Sequence, residues 1–461
     1  VLQKWRQALA DHLRSELSPS PGRALFLALV LGDRSEISDA QWAVFRHTGT
    51  SHLMAISGLH IGLVSAFVLL LCQWLWSRSA RLCLWLPAPK AAAVCAALAA
   101  LVYALLAGFA LPAQRALAML LVVLMALFMG RVTAPSRILS IALLAVLLID
   151  PFAVLSAGFW LSFAAVGWIL YALSGRLQQH RSHQTAWYLR WRDWFWIQLV
   201  LALGLAPVTL YAFGESSWVA PLANLILIPV FTLLLPLIIA AVLLSMIWPA
   251  VGVAGLGMNM RFLDFLWQVL NRVDGFWQFH WSPPTPALWT VILAMMGLVL
   301  LLSPKGMPGK LAAMMLCLPM LLLQPDKPRY GQLVVTVLDV GQGLAVVLLS
   351  LIPTLLYDAG PSFRSGFNTG EAVVLPWLRQ QGIQRLDALI LSHDHNDHSG
   401  GIAAIVDAVP VSEMINTQPG KTCEAGYAWV WDEVRFEILH PASTELMSGR
   451  WDVNNISCVL K

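Results

Sequence analysis

Four side chains near the end of the chain have the types and the spacing of a metal site. Residues 391–401 contain the pattern His-x-His-x-Asp-His, whose candidate ligands are His393, His395, Asp397 and His398. Imidazole nitrogens and carboxylate oxygens are ligands that zinc-type divalent ions accept. His393 and His395 suit one ion, whereas Asp397 and His398 suit a second. The alternative interpretation is a polar loop with solvated histidines.

Two such ions would allow hydrolytic chemistry. Metal ions about 3.5–4 Å apart can bridge a water, lower its pKa and stabilise a displacement at phosphorus or carbonyl. The predicted nucleophile is that bridging hydroxide, and Asp397 beside it is the predicted catalytic residue. The pattern follows a strand-like run, residues 387–391, and precedes a helical run that starts near Gly400. A loop at the end of a strand can bring these ligands together.

A second set of polar side chains lies in apolar sequence. Ser57 and His60 occupy one apolar run, Arg115 lies between two others, and Asn224 stands in a further run. Because ionisable groups at membrane depth are costly, they usually line a cavity or a polar path. The four residues are therefore candidates for a membrane path. The alternatives are a helix-packing histidine bonded to a carbonyl, a snorkelling arginine and a helix kink.

The composition indicates that much of the surface faces lipid. The chain is 58% hydrophobic and 12% charged, whereas a soluble domain is roughly 45–50% apolar and about 25% charged. This excludes a fully soluble enzyme, a disordered regulator and a disulfide scaffold. The net charge of +4 does not by itself indicate a nucleic-acid partner.

Charge is distributed unevenly, and this predicts the domain organisation. Between Arg81 and Arg131 the only charged residues are Lys90 and Arg115, whereas after a linker at 325–329 charges become frequent. We predict an amphipathic segment outside the cytoplasm over residues 1–50 and a membrane domain over 51–324. An α/β domain then follows over 331–461.

The membrane domain is expected to have about nine or ten spans, since a bilayer takes about 20 apolar residues per helix. Residues 251–271 are doubtful because they contain Arg261 and Asp264, and Pro229 and Pro236 suggest a broken helix. The predicted spans are 52–76, 91–109, 116–130, 137–149, 151–173, 194–213, 219–247, 286–303 and 310–324.

Basic loops predict the orientation, because short cytoplasmic loops carry an excess of Lys and Arg. Alternate loops carry the basic residues Arg78, Arg81, Lys90, Arg131, Arg137, Arg176, Arg181, Arg190 and Arg192. If residues 251–271 span the membrane, Lys305 and Lys310 are cytoplasmic and the α/β domain is outside. If they lie on the surface, the domain is inside. We expect it outside.

The chain is expected to be an internal fragment, since it lacks an initiator Met and stops within a strand-like run, residues 457–460. Its six cysteines are too few and too scattered for a disulfide framework. Cys423 and Cys458 could pair if the α/β domain is outside the cytoplasm; otherwise they stay free thiols.

The metal motif, together with the upstream Asp358-Ala359-Gly360, resembles the metallo-β-lactamase superfamily, whose fold is an αββα sandwich. The resemblance implies that Asp358 and Gly360 support the site from behind and that the cofactors are two divalent ions, zinc or manganese. It also implies a third His, a bridging Asp and a last His further downstream. His440 lies after the motif but is more typical of a turn, so the domain is expected to be incomplete at its C-terminus.

The whole chain resembles the ComEC family of competence proteins. The resemblance runs through segments around His60, Gly158, Asn224, Asp339 and the metal motif. It implies an inner-membrane, multi-pass channel for single-stranded DNA in natural transformation, with a nuclease domain that degrades the other strand. The implied partners are single- and double-stranded DNA, the bilayer, DNA-receptor and ATP-driven translocation proteins, and further copies in a homo-oligomer.

The leading hypothesis is thus a DNA-uptake channel followed by a metal-dependent phosphodiesterase domain. One rival hypothesis is a membrane-anchored hydrolase of another substrate. A second is a transporter whose soluble domain is not catalytic.

Overall fold

A computed structural model describes residues 2–131, 134–174, 187–214, 217–276, 283–303, 307–323, 325–363, 366–417, 423–448 and 452–461. The chain divides into two compact units, of which one is helical and holds most residues up to Leu316. The other consists chiefly of Cys317–Lys461 and contains the strands. The basic residues Arg176 and Arg181, and also Lys305, lie outside the described residues.

Fifteen α-helices precede the first strand in the described chain. They are α1 Leu2–Glu16, α2 Pro21–Leu31, α3 Asp39–His47, α4 Ser51–Met54, α5 Gly58–Trp76, α6 Ala80–Trp85, α7 Ala88–Leu106, α8 Leu111–Phe128, α9 Pro135–Ile149, α10 Ala157–Ser174, α11 Trp187–Phe213, α12 Ala220–Ile247, α13 Pro249–Phe276, α14 Leu288–Leu301 and α15 Lys310–Leu322.

Five of the described helices are long and apolar enough to cross a membrane, namely α5, α7, α8, α12 and residues 191–213 of α11. Shorter apolar helices are α2, α9, α14, α15 and residues 157–173 of α10. Within the helical unit, α5 packs closely on α7 because Ala92, Ala96 and Ala100 are small, and Ser65 Oγ donates to the carbonyl of Ala96 at 3.3 Å. The predicted count of nine or ten spans stays a prediction.

The amphipathic segment expected over residues 1–50 stays a prediction, but within it α2 is buried on almost every side. Its Gly22 amide donates to Asp264 of α13 at 2.6 Å. A helix that is apolar all round belongs in a core rather than at a surface. The doubtful stretch 251–271 therefore forms part of a helix that packs on α2, with Asp264 satisfied by a backbone amide.

Helix α12 runs unbroken through Pro229 and Pro236, so the prediction of a broken helix is wrong. A proline removes one helical hydrogen bond and leaves the carbonyl four residues earlier without its donor. For Pro229 that carbonyl belongs to Leu225, and it accepts a hydrogen bond from Trp194 Nε1 at 3.3 Å. A neighbouring helix thus satisfies the freed group, as membrane helices allow.

The strand-rich unit contains two sheets. A five-stranded sheet has the order β1-β2-β3-β4-β5, and a three-stranded sheet has the order β6-β7-β8. The strands are β1 Val334–Val337, β2 Val346–Leu349, β3 Thr354–Tyr357, β4 Leu386–Ile390, β5 Val411–Ile415, β6 Ala428–Trp431, β7 Val434–His440 and β8 Val459–Leu460. Its helices are α16 Leu375–Gln380, α17 Asn396–Ser399, α18 Ile402–Ala408 and α19 Ser443–Ser448.

The two faces of the larger sheet have different partners because successive side chains of a strand alternate. Leu356 of β3 packs with Leu378 of α16 and Ile405 of α18. Leu355, the preceding residue, packs instead with Ile438 of β7. Helices therefore cover one face and the second sheet covers the other. A disulfide between Cys423 and Cys458 lies in this second core, with 5.8 Å between the Cα atoms.

Candidate metal centre

The metal motif lies where two parallel strands end side by side. Strands β3 and β4 pair in parallel with Tyr357 opposite Ile390, so Asp358 and the motif follow at the same edge. The short helix α17 begins directly after His395. Parallel strands place their carboxyl ends together, and loops there present convergent side chains.

The three motif histidines converge in this loop. The ring centroid of His393 lies 4.9 Å from that of His395 and 4.2 Å from that of His398. The Nε2 atom of His398 lies 3.6 Å from Oδ2 of Asp397. His393 is buried, whereas the side chain of Asp397 is 53% exposed. The four candidate ligands thus form one group, open to solvent on the Asp397 side.

Asp358 holds this group from behind. Its carboxylate is fully buried and accepts from the Ser392 amide and hydroxyl, each at 2.7 Å. Oδ2 also accepts from Nδ1 of His398 at 2.7 Å. Because the Ser392 proton goes to Asp358, the same hydroxyl oxygen can accept from Nδ1 of His393 at 3.0 Å. Both histidines then keep Nε2 as a free lone pair, the state that a metal ligand requires.

Two residues of the Asp358 loop have a backbone φ in the left-handed region. Asp358 has a φ of 57° and Gly360 a φ of 70°. Positive φ is uncommon for a residue with a side chain and clusters at functional sites. A Cβ on Gly360 would lie 2.3 Å from Thr369 Oγ1 and 2.9 Å from Val340 Cβ, so glycine is required there for space as well.

The disulfide segment is bonded to the same loop. The Cys458 amide donates to the Ser392 carbonyl at 2.8 Å, and the Tyr357 hydroxyl donates to the Cys458 carbonyl. Burial, and then the charge of Asp358, raise the pKa of Tyr357 to about 12, so Tyr357 stays a neutral donor. Sequence reasoning assigned no role to Ser392 or Tyr357. Each adjoins a predicted site residue, but its partners are distant in sequence.

Burial is also the main influence on the charge of His393. It lowers the pKa of His393, and the neighbouring His398 and His395 lower it further. The imidazole therefore stays neutral at neutral pH, which keeps a nitrogen lone pair available.

The donor chemistry fits a divalent ion, but the geometry is not a closed coordination sphere. Within the ranges described above, no three His, Cys, Asp or Glu side chains converge tightly enough to hold an ion. The later histidine, His440, contributes nothing there, since its Nε2 donates to the carbonyl of Asn455 at 2.9 Å. Its Nδ1 lies 3.3 Å from Glu445. His440 thus has the structural contacts of a turn residue.

The candidate membrane-path residues do not form one group. Nδ1 of His60 accepts from the Ser57 amide at 3.1 Å, which caps α5 and leaves Nε2 buried without a partner. Ser57 Oγ and Asn224 Oδ1 are also buried and have no partner in the part of the chain that the structure describes. A Cβ on Gly58 would lie 3.3 Å from the Cβ of Ala116 in α8, whereas the guanidinium of the neighbouring Arg115 lies against Gly158 of α10. Ser57 and His60 at the start of α5 and Arg115 on α8 therefore have different contacts.

Comparison with known proteins identifies the family. The sequence profile described as "Competence protein" matches residues 29–308, which is more than half of the chain. The chain belongs to the competence protein family. A second profile, described as the metallo-beta-lactamase superfamily, matches residues 338–447 and includes the metal motif. The predicted family and the predicted fold class, a helical membrane part followed by a metallo-β-lactamase domain, are confirmed.

Three curated proteins show how far the competence similarity extends. Competence protein ComA of Neisseria gonorrhoeae is 36% identical over 100% of this chain and 62% of its own length. Recombination protein 2 of Haemophilus influenzae is 31% identical over 95% of the chain and 59% of its own length. ComE operon protein 3 of Bacillus subtilis is 27% identical over 88% of the chain and 53% of its own length. No solved structure matches the chain. The chain thus spans less than two thirds of the length of these relatives.

Membership of the metallo-beta-lactamase superfamily implies the use of a divalent metal. The competence match and the five apolar helices together indicate a multi-pass protein of the inner membrane.

Proposed function

We propose that this protein takes part in the uptake of DNA during natural transformation. In this proposal the helical unit passes one strand across the inner membrane, and the metallo-β-lactamase domain degrades the other. Support comes from the names of the relatives, one of which is a competence protein and another a recombination protein. The observation that carries the hydrolytic part is the network in which Asp358 and Ser392 orient His398 and His393.

The proposed ligands of two divalent ions, zinc or manganese, are His393, His395, Asp397 and His398. Bound ions would supply a hydroxide at neutral pH and a Lewis acid for the phosphodiester. Ser392 and Asp358 hold the remote nitrogens of two histidines, so that the Nε2 atoms face the site. Asp397 is the proposed catalytic residue because it is the exposed carboxylate of the group. Gly360 lets the Asp358 loop pass close to Thr369.

We also propose that the metallo-β-lactamase domain lies outside the cytoplasm. The paired Cys423 and Cys458 support this, because disulfides persist in oxidising compartments and are rare in the cytosol. A membrane-impermeant maleimide added to intact spheroplasts should label this pair only after reduction. Labelling without reductant, or only after lysis, would contradict the placement.

Within the helical unit, the proposed path residues are Ser57, His60, Arg115 and Asn224. Each has a buried polar atom without a partner, so each is available to a passing polar ligand. The proposed partners are single- and double-stranded DNA, the bilayer, a DNA receptor, an ATP-driven translocation protein and further copies of the chain.

The uptake proposal is tested by deleting the gene in a transformable host and following end-labelled duplex DNA. Label should accumulate outside the inner membrane, and transformants should disappear. A strain that restores the wild-type gene serves as the control. Normal transformation by the deletion strain would overturn the transport role and favour a membrane-anchored hydrolase.

A further inference from the structure

A buried guanidinium faces the first turn of a membrane helix. We propose that Arg115 and the first turn of α10 form a binding site for a phosphodiester group of single-stranded DNA. The choice of DNA as the source of that phosphate rests on the function proposed above. The existence of an anion site rests only on the contacts described next.

Arg115 is enclosed by protein rather than extended to an interface. It is 8% exposed, so it is not a snorkelling side chain that leads out to water. Among the described residues, its Nη1 donates to Ser156 Oγ at 3.2 Å, and its Nε is buried and has no partner. The guanidinium can donate five hydrogen bonds, so most of its capacity is unused.

No carboxylate of the described residues lies within 4 Å of Arg115, since Arg115 appears in none of their ion pairs. Asp150 attracts it only at longer range, because Asp150 Oδ1 accepts from the Phe152 amide at 3.1 Å. A buried charge without a counter-ion is costly. An anion from outside this group of helices would compensate that cost.

The site is also positive because of the helix that it faces. The first amides of α10 have no intrahelical acceptor, and a helix N-terminus has about half a positive charge. Ser156, directly before α10, caps one of these amides, since its Oγ accepts from the Phe159 amide at 3.3 Å and donates to the Ala153 carbonyl at 2.9 Å. Among the described residues, no side chain caps the amides of Ala157 and Gly158. The guanidinium therefore lies beside the two uncapped amides of a helix start, and both groups would bind the same anion.

Gly158 provides the space for this arrangement. A Cβ on Gly158 would lie 2.8 Å from Nη2 of Arg115. Glycine at the second residue of α10 thus lets the guanidinium lie directly against the helix start. A planar guanidinium with several free N–H groups matches the paired oxygens of a phosphodiester. The enclosure by protein favours a strand that enters the helical unit over a lipid headgroup at its outer surface.

The test uses the full protein in nanodiscs of phosphatidylcholine and a fluorescent oligothymidylate as the probe. Arg115→Gln should weaken binding by about 10- to 100-fold, as expected for a lost hydrogen bond to a charged group. It should also reduce the slope of log affinity against log salt by about 0.7, the value for one phosphate of a single strand. Gly158→Ala retains the charge but displaces the guanidinium, and should weaken binding in the same direction.

Arg131→Gln is the matched control, because Arg131 is an exposed arginine just beyond the other end of α8. It should leave affinity and salt slope unchanged. Equal membrane abundance and melting temperature of all variants exclude misfolding as the cause. Wild-type affinity and slope in both Arg115→Gln and Gly158→Ala would overturn the site. In a parallel set of nanodiscs that contain phosphatidylglycerol, loss of that lipid from Arg115→Gln with oligothymidylate binding intact would also overturn it, since the ligand would then be a lipid phosphate.

The two proposals fail in different ways. If deletion of the gene abolishes transformation but Arg115→Gln binds and transforms normally, only the phosphodiester site is wrong. If Arg115→Gln loses oligonucleotide binding while the deletion strain transforms normally, the site stands and the uptake function is wrong.

Discussion

Asp358 Oδ2 accepts a hydrogen bond from Nδ1 of His398 at 2.7 Å, although the two residues are 40 positions apart. The contact joins the end of β3 to the loop after β4, and Ser392 extends it to His393. A buried carboxylate behind a histidine fixes its tautomer and ring orientation. The candidate metal centre is therefore prepared by residues that would not themselves touch an ion.

Asp358→Asn should weaken metal binding by about 10- to 100-fold, as is typical for an outer partner of a ligating histidine. Asparagine tolerates the positive φ of this position, so the backbone should survive. Titration of the metal-free protein with zinc or manganese measures the affinity. Asp407→Asn, an exposed carboxylate on α18, is the control. Equal affinities in the two variants would remove Asp358 from the metal centre.

Gly360→Ala should destabilise the metallo-β-lactamase domain by about 1–3 kcal/mol from overpacking, in addition to the cost of a positive φ. Gly366→Ala is a matched control, since Gly366 also has a positive φ but a Cβ there meets no atom within 4 Å. Pulse proteolysis after graded heating compares the two variants. If both lose the same stability, the contact with Thr369 is not what requires glycine.

Replacing both Cys423 and Cys458 by serine should cost about 2–4 kcal/mol, as for other native disulfides. It should also reduce metal affinity, because the Cys458 amide and carbonyl bond to Ser392 and Tyr357. Urea unfolding followed by trypsin resistance measures the stability. Cys83→Ser, at a free cysteine of the helical unit, should change neither property. A double variant with wild-type stability would contradict the structural role of this bond.

Acid should destabilise the domain through His393. Its pKa is lowered in the folded state, mainly by burial, whereas the unfolded chain takes up the proton near pH 6.5. The stability that neutral, buried His393 contributes is therefore fully present above about pH 6.5. It is lost as the pH falls from there towards the pKa of His393 in the folded state. Hydrogen exchange of the β4 amides in chelator, between pH 7.5 and 5, measures the effect. His393→Asn should show a shallower loss, and an unchanged profile would contradict the assignment.

The sequence predicts the ligand types of the metal loop but not their supports. The spacing of His393, His395, Asp397 and His398 places them in one loop, and the resemblance adds Asp358. The contribution of Ser392 depends on the parallel pairing of β3 with β4, which joins residues 34 apart. Such partners cannot be read from local spacing, because the tertiary fold decides which loops meet.

In the helical unit, too, local sequence does not predict the contacts between distant segments. Apolar runs predict where helices lie, but they do not show that α2 is buried within the helical unit. Pro229 and Pro236 predict a break that α12 does not have. In both cases a distant helix supplies the contact: Asp264 accepts from the Gly22 amide of α2, and Trp194 donates to the Leu225 carbonyl. Intrinsic signals such as proline are weak where neighbouring helices supply the missing hydrogen bonds.

The central claim is that the loop after β4 is the metal centre of a nuclease. The most direct measurement is manganese- or zinc-dependent cleavage of end-labelled duplex DNA by the purified full-length protein and two motif variants. Asp397→Asn should reduce cleavage by more than about 100-fold, since even outer partners of a metal ligand contribute about 10- to 100-fold. Asp394→Asn, at an exposed carboxylate of the same motif that is not a predicted ligand, should cleave like the wild type. Equal metal-dependent cleavage by Asp397→Asn, Asp394→Asn and the wild type would contradict the claim.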